Sequence, residues 1–196
     1  PWKVDVERRT PALAAWPENA PPTETSPCIL RAQLELAVGR VSEAEKLLVG
    51  LLDNSAAGAL RELVAVVRGD RMTQTLPAKS ASGLLARSYM LQSRADLEGA
   101  RDAARQAAQF APDFGVAHAR LAELEFAFGN HRVALDELQA ALQSSPRLAS
   151  APVLQGFVLL DQGETKAALT HFDHARELDA ALGSAWLGRG LCLMYQ

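Results

Sequence analysis

Apolar residues along this chain return at helical spacing from about Cys28 onward, and from Ser80 they return at a second, longer interval as well. Written in register, SASGLLARSYMLQSRADLEGARDAARQAAQFAPDF, GVAHARLAELEFAFGNHRVALDELQAALQSSPRL and ASAPVLQGFVLLDQGETKAALTHFDHARELDAAL align on small residues. Ala100, Ala134 and Ala168 fall 34 residues apart, as do Ala107, Ala141 and Ala175. Ser88, Ala122, Gly156 and Gly190 share one small position, and Leu138 and Phe172 fill a large apolar slot held by Ala104 in the first copy. Each unit reads as two helices. The alanines line one face of the second, and the small residue lets the first approach closely. Gly129 and Gly163, with Ala95 in their place in the first copy, mark the turn within each pair; Pro112 and Pro146 end the second helix, where Ala180 stands in the third.

The pattern extends both ways. Ser184-Ala185-Trp186-Leu187-Gly188 opens a further first helix, and ILRAQLELAVGRVSEAEKLL places Ala32, Gly39, Ala44 and Leu48 at similar spacing. Ser42 and Glu45 there have the spacing of a capping box. Gly39 precedes Ala95 by 56 residues where two full units would take 68, so the register is broken between them. ALRELVAVVRG (59–69) reads as a first helix, and RMTQTL as a stunted second one closed by Pro77. Six of the ten prolines lie within 1–27, which predicts an extended arm, and WKVDVE alternates like a strand at the end of a preceding domain. The expected organisation is an arm over 1–27, degenerate repeats over 28–79, three regular repeats over 80–182, and the first helix of a truncated repeat over 183–196.

Composition sharpens this picture. The chain of 196 residues is 48% apolar but only 6% aromatic, so its core must be built largely from Ala, Leu and Val, which favours helices. A net charge of -3 argues against nucleic acid as a partner, and no stretch has the roughly 18 apolar residues of a membrane span. Lacking an initiating Met and ending on Met194-Tyr195-Gln196, the chain is expected to be a segment of a longer protein. Cys28 and Cys192 sit in apolar helical patterns and read as buried thiols.

Candidate chemistry is thin. His171 and His174 flank Asp173, but no Cys or further His joins them, so a solvated or capping pair is expected and no metal. Gly188-Arg189-Gly190 has no strand before it and makes no phosphate loop. Glu123, Glu125 and Asp136 read as solvated helix faces. Neither catalysis nor a cofactor is expected.

The spacing of Ala100, Ala107, Gly129, Ala134, Pro146, Gly163 and their counterparts resembles the tetratricopeptide repeat (TPR). Its first-helix aromatic slot is the weaker match, holding Leu84, His118, Pro152 and then Trp186. The resemblance implies an all-α fold, a right-handed α-solenoid of antiparallel helix pairs whose first helices line a concave groove. Carried over position by position, that groove would present Leu85, Tyr89, Phe126, Val153, Phe157, Leu160, Leu187, Leu191, Met194 and Tyr195, with Asp161 beside them. It implies a protein or peptide segment as partner. Tyr89, Glu123 and Phe157 occupy positions that are polar in repeats that clamp a C-terminal carboxylate, so that clamp is not expected. The competing expectation is self-assembly, with repeats stacking end to end or two copies pairing through the open helix Trp186–Tyr195. Residues 80–196, with the strand-like WKVDVE, also resemble arrays behind FecR-type sensor domains, which implies a bacterial cell envelope location; a cytoplasmic one is the alternative.

Overall fold

The computed structural model describes residues 25–37, 39–51, 54–69 and 80–195, all of whose regular structure is helical. The expectations for WKVDVE and RMTQTL fall outside these residues. The chain divides into two units, residues 1–96 and 97–196.

The first unit holds α1 (Thr25–Ala37), α2 (Val41–Leu48), α3 (Ser55–Arg68) and α4 (Ala81–Ser93). Helix α1 begins inside the segment expected to be an arm. Pro27 lies in its first turn, where the missing amide hydrogen costs no helical bond. Helix α3 starts at Ser55 rather than residue 59, because Asn54 caps it: the Asn54 side chain accepts from Ala56 N and Ala57 N at 2.9 and 3.1 Å. Helix α1 packs on α2, both touch α3, and α3 lies along α4. Their seam is Ala32, Ala44, Leu48, Ala57, Leu60 and Val64, all buried.

The expected capping box is overturned. Helix α2 starts at Val41 with Arg40 as its unassisted cap, so Ser42 is already inside the helix. Ser42 Oγ instead accepts from Arg68 at 3.3 Å, and Glu45 pairs with the same guanidinium at 2.7 Å, tying α2 to the end of α3. Arg61 adds a second tie, donating to Leu48 O at the end of α2 and to Leu51 O just beyond it.

The second unit holds α5 (Leu97–Phe110), α6 (Gly115–Ala127), α7 (His131–Ser144), α8 (Ser150–Asp161), α9 (Thr165–Leu178) and α10 (Gly183–Met194). Helices α6 and α7 form one hairpin and α8 and α9 the next; α5 packs on α6, α7 on α8, and α10 on α8 and α9. Ala100, Ala134 and Ala168 are wholly buried, and so are Ala107, Ala141 and Ala175. A methyl group at each of these sites sets the distance between neighbouring helices.

The turns repeat one geometry. Gly129 (φ 76°) and Gly163 (φ 82°) are left-handed, as are Gly39 (φ 78°) and Ala95 (φ 63°). After each, the next amide reaches back five residues: Arg40 N to Glu35 O, Asp96 N to Leu91 O, Asn130 N to Glu125 O, and Glu164 N to Leu159 O. These bonds satisfy carbonyls that the helix end would otherwise leave unpaired.

Phe172 is the largest fully buried apolar side chain among the described residues. Its ring is fully buried among Val153, Ala168, Ala175, Ala185 and Cys192, a burial worth about 2–3 kcal/mol. Gly156 and Gly188 give it room from α8 and α10. Gly190, which shares the repeat position of Gly156, has nothing within 4 Å of where a Cβ would stand.

Candidate functional site

Helices α6, α8 and α10 are the first members of their pairs, and they leave an open cleft of about 580 Å³ in the second unit. Phe126 comes from α6, Phe157, Leu160 and Asp161 from α8, and Leu191 and Tyr195 from α10 and the residue beyond it; Gly163 and Thr165 close it at the α8–α9 turn. The apolar wall is anchored in the core: the Phe157 ring meets Phe172 edge-on, centroids 5.0 Å apart at 71°. Phe126 lies 5.5 Å from the His131 ring, and His131 Nε2 is 3.2 Å from a carboxylate oxygen of Asp161. A second depression, of about 540 Å³, shares Gly163, Thr165 and Tyr195 and adds Glu164 and Lys166.

Five of the ten residues expected in a groove therefore line this cleft: Phe126, Phe157, Leu160, Leu191 and Tyr195. Val153 does not, because its side of α8 turns toward Phe172, where it is buried. Leu85 is likewise buried, and Tyr89 half-buried, on α4 of the first unit. Leu187 and Met194 are 61% and 82% exposed on α10 but outside the lining. Gly163 and Thr165 were missed because they belong to a turn and a second helix, whereas the groove was read from first helices alone. The turn position of Gly163 was the available signal.

The surrounding charges are structural. Glu125, expected to be solvated, is buried and accepts from Arg105 at 2.8 Å and Asn130 Nδ2 at 2.7 Å. This fastens α5 and the start of α7 to α6. Buried Arg120 donates to Glu123 at 2.9 Å. Asp173 accepts from Arg176 at 2.8 Å and Arg189 at 3.0 Å, while the Arg176 guanidinium stacks 3.9 Å from the Trp186 ring. Trp186 Nε1 donates to Ala180 O, so the aromatic slot of α10 is pinned to the preceding loop. Burial, and secondarily the charge of His174, pushes the pKa of His171 down. Among the described residues, no group of three His, Cys, Asp or Glu side chains is placed to hold a metal ion, and no helix is long and apolar enough to cross a membrane.

No family model and no curated protein matches the chain. Solved structures do. A tetratricopeptide repeat protein from Parabacteroides merdae aligns with 98% of this chain and 78% of its own, at 18% identity and a TM-score of 0.69. YrrB, described as a TPR protein with an unusual peptide-binding site, covers 94% of this chain and 99% of its own, at 17% identity and a TM-score of 0.55. The first TPR of Spaghetti, solved with an HSP90 peptide, covers 61% and 97%, at 14% identity and a TM-score of 0.56. Helix pairs turning on left-handed residues, buried alanines 34 residues apart and these neighbours lead to one conclusion: the chain has the tetratricopeptide-repeat fold.

Proposed function

We propose that this chain is a non-enzymatic protein-interaction scaffold that holds a segment of a partner protein in the apolar cleft of its second unit. The observation that carries this reading is the convergence of Phe126, Phe157, Leu160, Leu191 and Tyr195 on one open cleft. An exposed apolar concavity loses its unfavourable hydration when a ligand covers it. Because α6, α8 and α10 are held by packed alanines, the surface exists before the ligand arrives, and little ordering free energy is lost in the receptor. The peptide bound by the first TPR of Spaghetti and the peptide site of YrrB support the reading by analogy of fold. A bacterial envelope location is part of the proposal and rests on the FecR-type resemblance of residues 80–196.

The test is partner capture with the 196-residue chain and two variants. Tyr195 is 73% exposed, so Tyr195→Lys adds a positive charge to the cleft without touching the core. Phe157→Glu removes an aromatic wall of the cleft together with its contact with Phe172. Both should abolish capture, with Tyr195→Lys keeping full helicity by circular dichroism. Capture undiminished in Tyr195→Lys would overturn the proposal. Light scattering on the same samples separates it from self-assembly: a dimer that Tyr195→Lys dissolves would favour the latter.

A further inference from the structure

The cleft carries an unbalanced charge. Among the described residues, Asp161 is the only ionisable one in its lining apart from the Tyr195 phenol, and neither Lys nor Arg contributes. The Asp161 side chain is 58% exposed, so its carboxylate can meet a ligand while keeping His131 at 3.2 Å. In the adjoining depression Glu164 and Lys166 offset one another. The Thr165 amide at the start of α9, which could otherwise receive an anion, donates to Gly163 O at 2.9 Å.

The aromatic residues act in the same direction. Phe126, Phe157 and Tyr195 bring three rings to the cleft, and ring faces attract cations and repel anions. Leu160 and Leu191 offer a path for a hydrocarbon stem. Arginine and lysine combine such a stem with a cationic head, whereas an acidic side chain would lose hydration beside a like charge.

We propose that the segment held in this cleft bears a basic side chain, its stem along Leu160 and Leu191 and its charged head between Asp161 and the aromatic rings. The inference rests on the cleft being the partner site and adds the chemistry of what enters. It is the reverse of a carboxylate-binding groove, in which the protein supplies the cations.

The test uses the 196-residue chain and three fluorescein-labelled eight-residue peptides in an alanine background with two leucines. One carries a central arginine, one its uncharged isostere citrulline, and one glutamate. In anisotropy titrations at low salt, the arginine peptide should bind about fivefold tighter than the citrulline peptide, and the glutamate peptide should bind weakest. Asp161→Asn should erase the difference between arginine and citrulline. Glu98→Gln, the same change of charge at an exposed site on α5, should preserve it. Equal binding of the arginine and glutamate peptides, or a preference that survives Asp161→Asn, overturns the basic side chain while leaving the cleft as a partner site. If no peptide binds saturably, or if Tyr195→Lys affects none of them, the partner site fails and this inference fails with it.

Discussion

Two ring carbons of Phe172, Cε1 and Cζ, lie 2.7 Å from the point where a Cβ on Gly156 would stand. Real side chains do not approach that closely, so α8 and Phe172 occupy their positions only because residue 156 is glycine. Gly156→Ala should therefore destabilise the protein by about 1–2 kcal/mol, overpacking outweighing the gain in helix propensity. Gly190→Ala, at the same repeat position but open to solvent, should be neutral or stabilise by up to about 1 kcal/mol. Thermal melts of the two variants check this, and equal shifts would contradict the packing described.

The α4–α5 turn contains a strained residue that its counterparts avoid. Ala95 holds φ 63°, a region that costs an L-residue about 1–2 kcal/mol, while Gly39, Gly129 and Gly163 adopt it at little cost. Ala95→Gly should stabilise the chain by up to about 1 kcal/mol, less than the full relief because glycine also loosens the unfolded chain. Gly163→Ala should cost about 1 kcal/mol. Urea titration of both variants measures the opposite signs.

Glu125 makes a third prediction. It is 4% exposed and receives two hydrogen bonds, from Arg105 and Asn130. Glu125→Ala should cost about 2 kcal/mol, since both donors lose a charged acceptor next to a new gap. Glu125→Gln, which keeps the shape and one acceptor, should cost roughly half that. Chemical denaturation distinguishes this from a solvated carboxylate, for which both changes would be nearly silent.

His171 gives the fold a pH dependence with a defined sign. Burial, with help from His174, makes the folded protein harder to protonate there than the unfolded chain. The stabilisation is complete above the ordinary imidazole pKa. It declines as pH falls below that value, and levels off once the folded imidazole is protonated too. The melting temperature should fall between about pH 7.5 and about pH 5.5, and His171→Gln should flatten that slope. His174→Gln should flatten it partially, by removing the smaller of the two causes. An unchanged slope in His171→Gln would assign the pH dependence elsewhere.

The fold was legible in the sequence where it depends on side-chain size. The alanine pairs had to be small because helices cross on them, and size is visible in one letter. The left-handed turns were legible for the same reason at Gly129 and Gly163. What was misread depends on context. Ser42 and Glu45 have capping spacing, but Arg68 of α3 takes both side chains. Helix α3 was read from residue 59, short of the start that Asn54 secures by two side-chain bonds. Glu125 was read as part of a solvated face, yet α6 is buried on several sides and a cation from α5 pairs with the carboxylate there. The cleft was half visible for a related reason. Repeat position identifies which stripe of a helix faces inward, but only the neighbours decide whether Val153 closes over a ring or Leu160 lines an opening.

The two cysteines, one in each unit, are both buried, and burial raises the pKa of the Cys192 thiol. An alkylating reagent can reach them only when the helices around them part. With Cys28 in α1 and Cys192 in α10, modification rates followed by peptide mass mapping time the loosening of each half of the chain separately, with no label added. A ligand seated against Leu191 and Tyr195 should slow the clock at Cys192 and leave the one at Cys28 running as before.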